Sequence, residues 1–310
     1  MEQIGLLHDG QIYDLQTAEA LNIKGDIIKA DDSKESLEIL RHSCAHMMAQ
    51  AIKELYPEAK FFVGPVVKEG FYYDFKVESK ISDEDLPTIE KKMKEIADRK
   101  LPITRYETTK EEFYEKFKND ELKQAVLKNI KDDTLTIYKQ GDFEDLCRGP
   151  HLPNTRMIRS FKLTRVAGAY LGGDEKNEMI TRIYGIAFFD KQALFDYTKM
   201  IEEAKKRDHR KLGTELELFT FNDDVGAGLP MWLPNGARLR SKLEHLLYKA
   251  HRVRGYEPVR GPEILKSERW KISGHYANYK ENMYFTTIDE QEYGIKPMNC
   301  VGHIQIFKNS

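Results

Sequence analysis

The sequence predicts an α+β protein with more than one domain, and three observations support this fold class. At 310 residues, the chain is long enough for about two domains that each bury their own core. Residues 33–190 alternate helical and strand-like hydrophobic patterns with several hairpin turns, as is typical of α+β domains. From Gly213 the pattern changes to a short strand, a passage rich in glycine and proline, and a long helix.

These changes divide the chain into three parts. Residues 1–32 contain short alternating stretches and are expected to form a β-rich cap that is too small to be stable alone. Residues 33–204 form the α+β domain. Residues 205–310 form a second region, which begins within a helix that is unusually basic over residues 205–211.

Composition and charge exclude several classes of protein. Hydrophobic residues make up 40% of the chain, charged residues make up 32%, and the net charge is −2, as in ordinary globular proteins. No apolar run approaches the roughly 18 residues that a membrane helix needs, and the first twenty residues lack the pattern of a signal peptide. Three widely spaced cysteines favour free thiols or metal ligands in a reducing compartment. We therefore expect a cytoplasmic protein without membrane association.

The first domain is predicted to open with a long helix. Ser33 can cap this helix, and Pro57 stops it after Tyr56. Its apolar residues fall on one stripe at helical spacing. The elements predicted after it are a hairpin of Phe61–Val67 and Phe71–Phe75, a helix over Asp83–Lys100, a strand over Ile103–Thr108, a helical stretch over Lys110–Leu127, and strands over Thr134–Lys139, Phe161–Ala169 and Met179–Phe189.

The second region is predicted to follow a long helix that links it to the first domain. The predicted elements are a helix over Lys191–Leu212, a strand over Glu215–Phe221, a helix over Ala237–Arg254 and a strand over Tyr256–Arg260. The basic residues in the two helices could follow the phosphates of a nucleic acid, although charge runs more often form a solvated face.

His42 and His46 are the first residues that indicate chemistry. They lie four positions apart on the predicted helix, so their side chains share one face, together with the small residues Ala45 and Ala49. Small neighbours beside two imidazoles leave room for a ligand. The pair is consistent with two solvent-exposed histidines, and equally with a metal pair or a site of proton transfer near neutral pH.

Cys147 and His151 form a second pair of the same chemical type. The glycine and two prolines around them exclude a regular helix, so we expect a fixed loop. With His42 and His46 they supply four nitrogen or sulfur donors, which is the donor set of a tetrahedral zinc site. The alternative is a buried cysteine that packs as a small hydrophobe beside a structural histidine. The presence of both pairs in one predicted domain favours a functional site.

Five motifs, in this order, resemble the second additional domain shared by bacterial threonyl- and alanyl-tRNA synthetases: His42-Ser-Cys-Ala-His46-Met, Phe62-Val-Gly-Pro-Val, Gly70-Phe-Tyr-Tyr-Asp-Phe75, Asp145-Leu-Cys-Arg-Gly-Pro-His151 and Ile183-Tyr-Gly185. The resemblance implies a domain that hydrolyses the ester of a wrongly attached amino acid. Three later motifs resemble the threonyl type in its linker, in motif 1 of class II synthetases and in its catalytic core: Lys205-Lys-Arg-Asp-His-Arg-Lys-Leu-Gly213, Gly255-Tyr-Glu-Pro-Val-Arg-Gly-Pro262 and Ile295-Lys-Pro-Met-Asn-Cys300-Val-Gly-His303.

The resemblance also implies roles for individual residues in the hydrolysis of mischarged Ser-tRNA(Thr). The pocket for the seryl group and the terminal ribose would be lined by His42, His46, Cys147 and His151. Lys123 would help to place the attacking water, Asp145 would recognise the amino group, and Tyr73 would line the pocket. From the local pattern alone, Lys123 is also consistent with a solvated lysine and Tyr73 with a core residue. The alanyl relatives bind zinc with this pattern, whereas the threonyl type works through water, so we expect a metal-free editing site.

The second region resembles the start of a class II synthetase core, which is built on an antiparallel sheet. The resemblance implies that Cys300 is one of three protein ligands to a catalytic zinc and that Met298, in the same motif, lies at the substrate. It further implies a homodimeric enzyme that joins threonine to tRNA(Thr) with ATP and Mg²⁺. Because motifs 2 and 3 are not present, we expect no aminoacylation by this chain alone and weak or no zinc binding at Cys300.

Two other functions remain as alternatives at this point. One is a free-standing deacylase that edits tRNA in trans, and the other is a non-catalytic tRNA-binding relative of a synthetase. The start of a class II core argues against the first. The intact set of candidate site residues in the first domain argues against the second.

Overall fold

The computed structural model describes residues 2–310, which divide into two compact units, the first ending at Lys205 and the second beginning at Lys206. The strands of the first unit are β1 (Gln3–His8), β2 (Gln11–Asp14), β3 (Asp26–Lys29), β4 (Lys60–Phe61), β5 (Val66–Val67), β6 (Gly70–Lys76), β7 (Ile103–Thr109), β8 (Thr134–Gln140), β9 (Phe143–Leu146), β10 (Ser160–Tyr170) and β11 (Met179–Phe188). The helices are α1 (Leu15–Ala20), α2 (Lys34–Leu55), α3 (Leu86–Asp98), α4 (Lys110–Lys116), α5 (Glu121–Lys128) and α6 (Lys191–Lys206). Helices combined with antiparallel sheets confirm the predicted α+β class.

The amino-terminal segment contains more structure than its sequence pattern predicted. β1 lies between β2 and β3 in a three-stranded antiparallel sheet, and α1 follows β2 directly. Asp14 caps this helix, because its side chain accepts a hydrogen bond of 2.8 Å from the backbone N–H of Thr17. Ile4 is fully buried and joins the core of the first unit.

Helix α2 lies at the centre of the first unit. It begins after Ser33 and ends before Pro57, as predicted, although the Ser33 side chain makes no capping hydrogen bond. The helix packs against α3, β6 and β11. Its residues are buried on almost every side, including Ala45 and Ala49, so the expected single apolar stripe underestimates how much of the helix is covered.

The sheet that supports α2 has the order β10-β11-β6-β4, and β5 also pairs with β6. Phe61–Val67 is therefore not one continuous strand, since residues 62–65, which include Gly64 and Pro65, separate β4 from β5. A Cβ atom at Gly64 would collide with the ring of Tyr73, so this close approach requires glycine. The strands predicted over Phe161–Ala169 and Met179–Phe189 are confirmed as the paired β10 and β11.

A second sheet, with the order β7-β8-β9, packs against α4, and α5 contacts α4 and the strand β4. The prediction of one helical stretch over Lys110–Leu127 was wrong. The chain breaks because the Asp120 side chain accepts hydrogen bonds of 3.1 Å from the backbone N–H groups of Leu122 and Lys123 and so begins a new helix. Asp145 lies on β9, a strand that was not predicted from the sequence, and the loop with Cys147 and His151 begins after Leu146.

The second unit contains several short elements. Its strands are β12 (Phe219–Thr220), β13 (Met231–Trp232), β14 (Ile264–Lys266), β15 (Phe285–Ile288) and β16 (Gln291–Ile295). Its helices are α7 (His209–Glu215), α8 (Pro234–Arg252), α9 (Ser267–Ile272), α10 (His275–Tyr279) and α11 (Cys300–Asn309). The strands pair only with antiparallel neighbours, in the orders β12-β13 and β14-β16-β15.

Three expectations for this part of the chain were wrong. The helix predicted over Lys191–Leu212 is interrupted, because the Asp208 side chain accepts from the backbone N–H of Arg210 and caps α7. The strand predicted over Glu215–Phe221 is limited to β12. Residues 256–260 form no strand, and no strand of residues 2–310 pairs with them.

None of the helices within residues 2–310 is both long and apolar enough to cross a membrane. The cysteines of this described chain, Cys44, Cys147 and Cys300, are free thiols.

Candidate functional site

The two histidines of α2 lie inside the first unit. His46 is 3% exposed, whereas His42 is partly exposed, so the interpretation of both as solvated residues is wrong. Their rings meet edge to face with centroids 5.2 Å apart. The helix thus presents one partly exposed imidazole and one that is buried.

The loop after β9 brings Cys147 and His151 to the same place. The ring of His151 stacks on that of His42 at 4.2 Å and lies 4.3 Å from that of His46. The Cys147 sulfur is 3.0 Å from Nε2 of His151. One potential ligand atom from each of the four residues lies within 4.8 Å of those of the other three. The structure therefore assembles the two pairs into a single cluster.

Ser43, between the two histidines on α2, determines which nitrogen of His151 carries the proton. The Ser43 hydroxyl donates its one proton to the backbone carbonyl of Ile39 at 2.9 Å. Its oxygen also accepts from the backbone N–H of Leu152 at 2.8 Å and lies 3.2 Å from Nδ1 of His151. Nδ1 must then be the donor, which leaves the lone pair of Nε2 facing the thiol of Cys147.

A buried ion pair adjoins this cluster. Lys123 on α5 and Asp145 on β9 are 4% and 2% exposed, and their charged groups are in contact. The same carboxylate accepts from the hydroxyl of Tyr73 and, at 2.7 Å, from the backbone N–H of Leu146. The local pattern favoured a solvated Lys123, and this interpretation is wrong. Tyr73 is 1% exposed, so it belongs to the core and contacts the site as well.

Burial keeps the groups of the cluster uncharged. Desolvation lowers the pKa of His42 to about 4 and lowers the pKa values of His46 and His151 well below their usual range. The neighbouring imidazoles lower the pKa values of the latter two further, and Lys123 also lowers that of His46. Desolvation raises the pKa of the Cys147 thiol. At neutral pH the cluster therefore holds three neutral imidazoles and a thiol.

A cavity of about 360 Å³ reaches the cluster at Cys147. Its lining residues are Val126, Ile130, Asp132, Thr134, Leu135, Thr136, Leu146, Cys147 and Arg148. The side chains of Arg148 and Asp132 form an exposed ion pair of 3.1 Å at this cavity. The cavity is large enough for a small polar ligand and places part of that ligand against the sulfur.

Met298 and Cys300 belong to the second unit, which does not contribute to the cluster described above. Met298 is 53% exposed. Cys300, at the start of α11, is partly buried, and its sulfur lies 3.5 Å from Nε2 of His275. Among residues 2–310, no group of three or more potential metal ligands includes Cys300.

Sequence reasoning missed three residues that build the cluster, namely Ser43, Tyr138 and Asp14. The ring of Tyr138 packs on that of His151 with centroids 4.4 Å apart. Its hydroxyl donates to the Asp14 carboxylate at 2.6 Å. Ser43 lies inside the paired-histidine motif, where its small polar side chain was a usable signal. The sequence around Asp14 gave no signal of a role in the site, because its segment was interpreted only as a cap.

Comparison with known proteins is consistent with this architecture. Residues 135–184, which include Asp145, Cys147 and His151, match the family described as the threonyl and alanyl tRNA synthetase second additional domain. A threonine–tRNA ligase of Campylobacter jejuni (serotype O:6) is 70% identical over 308 residues, or 99% of this chain and 51% of that protein. The threonine–tRNA ligase of Helicobacter hepaticus is 68% identical over 309 residues, again 51% of its length.

A solved structure is also similar in sequence. The RNA binding domain of threonyl-tRNA synthetase from Cryptosporidium parvum Iowa II shares 48% identity over 33% of this chain and 26% of that one, with a TM-score of 0.32. The chain spans about half the length of the curated relatives it matches. Identity of 70% over 99% of this chain, together with the match to the second additional domain, shows that this chain belongs to the threonyl-tRNA synthetase family.

Proposed function

We propose that the first unit hydrolyses mischarged Ser-tRNA(Thr) and that the whole enzyme to which this chain corresponds joins threonine to tRNA(Thr) with ATP. In this proposal residues 33–204 are the editing domain, and residues 205–310 are the linker helix and part of a class II catalytic domain. The observation that carries the proposal is the single buried cluster of His42, His46, Cys147 and His151 beside the Lys123–Asp145 pair.

The need for such a site follows from the size of the two amino acids. Serine lacks one methyl group of threonine and has the same amine and hydroxyl. A missing methyl contact separates two substrates by only about 1–3 kcal/mol, which is too little for accurate translation. A second, hydrolytic site that accepts the smaller ester removes the error.

We assign the roles in hydrolysis from accessibility and charge. Asp145 accepts three hydrogen bonds and retains an acceptor position for the amino group of the seryl ester. His42 is the most exposed imidazole of the cluster. Because its pKa lies near 4, it is neutral but only a weak base, so it orients water at the ester carbonyl together with the ribose 2′-hydroxyl. Lys123 helps to hold that water.

We propose that this site works without a metal ion. The four donors match zinc in type, and Ser43 fixes the His151 tautomer as a second-shell partner would. Their arrangement fits zinc poorly, because two ligands of a tetrahedral zinc lie about 3.5 Å apart. The Cys147 sulfur and His151 Nε2 are instead 3.0 Å apart and hydrogen-bonded.

The partners and cofactors of the whole enzyme follow from the family. We propose tRNA(Thr), threonine and ATP with Mg²⁺ as its substrates, serine as the amino acid removed by editing, and a homodimer as its assembly. Cys300 would supply one ligand to a zinc ion that helps to bind threonine, and Met298 would lie at that substrate. The chain's basic residues over 205–211 would lie near the tRNA.

A deacylation assay tests the proposal. The chain is expected to release serine from Ser-tRNA(Thr) much faster than threonine from Thr-tRNA(Thr), and a chelator should leave the rate unchanged. A His42→Ala variant should lose most of the activity. Equal hydrolysis of both esters, or a His42→Ala variant with the parent rate, would contradict the assignment.

The metal-free proposal has its own measurement. Elemental analysis of a Cys300→Ser variant reports metal bound anywhere other than at Cys300. Stoichiometric zinc in that variant, lost together with activity on chelation, would show that the cluster in the first unit is a metal centre.

A further inference from the structure

The amino-terminal segment reaches the candidate site through one carboxylate. Asp14, at the end of β2, is 2% exposed. One of its oxygens accepts from the backbone N–H of Thr17 at 2.8 Å. The other accepts from the hydroxyl of Tyr138 at 2.6 Å and from the backbone N–H of His151 at 3.0 Å. Donors from three separate parts of the chain thus meet on one buried side chain.

The loop fits closely against this carboxylate. Gly149 has a φ of 74°, a conformation that favours glycine. A Cβ atom there would lie 2.8 Å from an Asp14 oxygen and 2.5 Å from the hydroxyl of Tyr138. The segment between Cys147 and His151 therefore has little space to shift while Asp14 and Tyr138 stay in place.

Tyr138 connects the carboxylate to the imidazole itself. Burial and the charge of Asp14 raise the pKa of Tyr138, so its hydroxyl stays protonated and donates to Asp14. The same hydroxyl oxygen lies 2.9 Å from the side-chain hydroxyl of Thr17 and accepts from it. The Tyr138 ring lies 4.4 Å from that of His151. Asp14 thus constrains His151 through its backbone N–H and through its ring.

We propose that Asp14 is a positioning residue of the hydrolytic site, which makes the amino-terminal segment part of that site and not only a cap. The carboxylate fixes the loop so that His151 stays against His42 and Cys147. The consequence for activity rests on the proposed deacylation. The consequence for the loop can be measured separately on Cys147.

The number of acceptors explains why this position needs a carboxylate. Three donors point at two oxygens, and an ionised carboxylate accepts on both. An asparagine has one acceptor oxygen, so its NH₂ group would face either the Thr17 N–H or the two donors on the other side. Asp14→Asn keeps the size of the side chain and removes this match.

The main comparison is between Asp14→Asn and Gln16→Ala. Gln16 also holds the amino-terminal segment, because its amide donates to the carbonyl of Ile103 at 2.6 Å and accepts from the N–H of Arg105 at 2.7 Å. The Gln16→Ala substitution therefore weakens the docking of α1 on β7 without removing a hydrogen bond from the loop. Tyr138→Phe is the second test variant, since it keeps the ring and removes only the hydroxyl.

Two measurements are made on each variant. One is kcat and KM for release of serine from Ser-tRNA(Thr), and the other is the rate of iodoacetamide labelling at Cys147, resolved from the other cysteines by peptide mass spectrometry. We expect Asp14→Asn to lower kcat on the order of tenfold to a hundredfold with KM changed less than about threefold, because a loop displaced by a fraction of an ångström misplaces the reacting groups. Labelling of Cys147 should become about tenfold faster as the loop loosens.

The outcomes separate the two proposals. Tyr138→Phe should change kcat and labelling in the same directions by smaller factors, and Gln16→Ala should leave both within about twofold. The inference would be overturned if Tyr138→Phe and any folded Asp14→Asn variant kept the kcat and the Cys147 labelling rate of the parent chain. It would also be overturned if Gln16→Ala impaired activity and loosened the loop as much as Asp14→Asn does. If the parent chain does not hydrolyse Ser-tRNA(Thr), the proposed function fails, while the labelling of Cys147 still decides whether Asp14 fixes the loop.

Discussion

Replacing Lys123 with methionine tests how the pocket is held together. The side chains of Lys123 and Asp145 are 5% and 2% exposed, so their charges are stabilised mainly by each other. Removing one partner of a buried ion pair costs about 3–5 kcal/mol, because the other charge is left buried without compensation. Asp145 keeps the hydroxyl of Tyr73 and the N–H of Leu146 as donors, so we expect the lower end, about 3 kcal/mol.

The measurement must report on the first unit alone. Both tryptophans of the chain, Trp232 and Trp270, lie in the second unit, so their fluorescence during urea unfolding serves as an internal control that should not change. Native-state hydrogen exchange of α2 peptides gives the opening free energy of the first unit. We expect Lys123→Met and Asp145→Asn each to lower this opening free energy. Because the two residues interact, the decrease in the double variant should be smaller, by at least about 1.5 kcal/mol, than the sum of the decreases in the two single variants.

Lys118 provides a matched control. It pairs with Glu115 at 3.3 Å, but the two side chains are 58% and 69% exposed. Lys118→Met should therefore cost less than about 0.5 kcal/mol. A Lys123→Met variant that costs no more than this control, or single variants whose effects add in the double variant, would refute the reasoning that the buried pair supports the pocket.

Three further predictions follow from the cluster. Ser43→Ala should destabilise the first unit by about 2–3 kcal/mol in urea unfolding, because it leaves the Leu152 N–H unpaired, and ¹⁵N NMR should show a mixture of His151 tautomers in place of one. The pKa of His42, about 4 when folded and near 6.5 when unfolded, means that the unfolded chain binds more protons between these values. The contribution of His42 to the free energy of unfolding should be fully present above about pH 6.5 and should be lost as the pH falls toward 4. A His42→Ala variant should therefore show a shallower decline of its urea midpoint over this pH range. Gly149→Ala should cost at least about 1–3 kcal/mol through its φ of 74°, and the clash of the added Cβ with the Tyr138 hydroxyl and an Asp14 oxygen adds to this cost, measured as a lower thermal midpoint of the first unit.

Long periodic segments made much of the fold predictable from the sequence. α2 and the β10–β11 pair were predicted because each extends over ten or more residues and has clear boundaries. Errors occurred where one side chain decides the outcome. Asp120 and Asp208 each cap a new helix inside a stretch with continuous helical periodicity, and a pattern of apolar residues does not register such a hydrogen bond.

The candidate site was predictable to the extent that its residues have distinctive chemistry. Histidines and a cysteine at spacings of four residues attract notice, whereas a lysine on a charged helix does not. α5 is only eight residues long, and the burial of Lys123 depends on Asp145, which lies 22 positions further along the chain. The roles of Asp14 and Tyr138 likewise depend on a contact between segments that lie 124 positions apart in the chain. Local sequence patterns do not show contacts between segments that are so far apart in the chain.

The charges around the pocket limit how the proposed hydrolysis could proceed there. The three imidazoles and the thiol are neutral near pH 7, and the ammonium of Lys123 and the carboxylate of Asp145 compensate each other. A seryl ester would add a second ammonium group beside Lys123. Asp145 can accept one more hydrogen bond, but two cations on one carboxylate repel each other, so the bound ester would weaken the hold of Asp145 on Lys123. Lys123 would then be free to donate to water or to the ester carbonyl only when the amino group is in place. Substrate binding would thereby generate the charge that the empty pocket lacks, and an ester without an α-amino group should be hydrolysed slowly even if it binds.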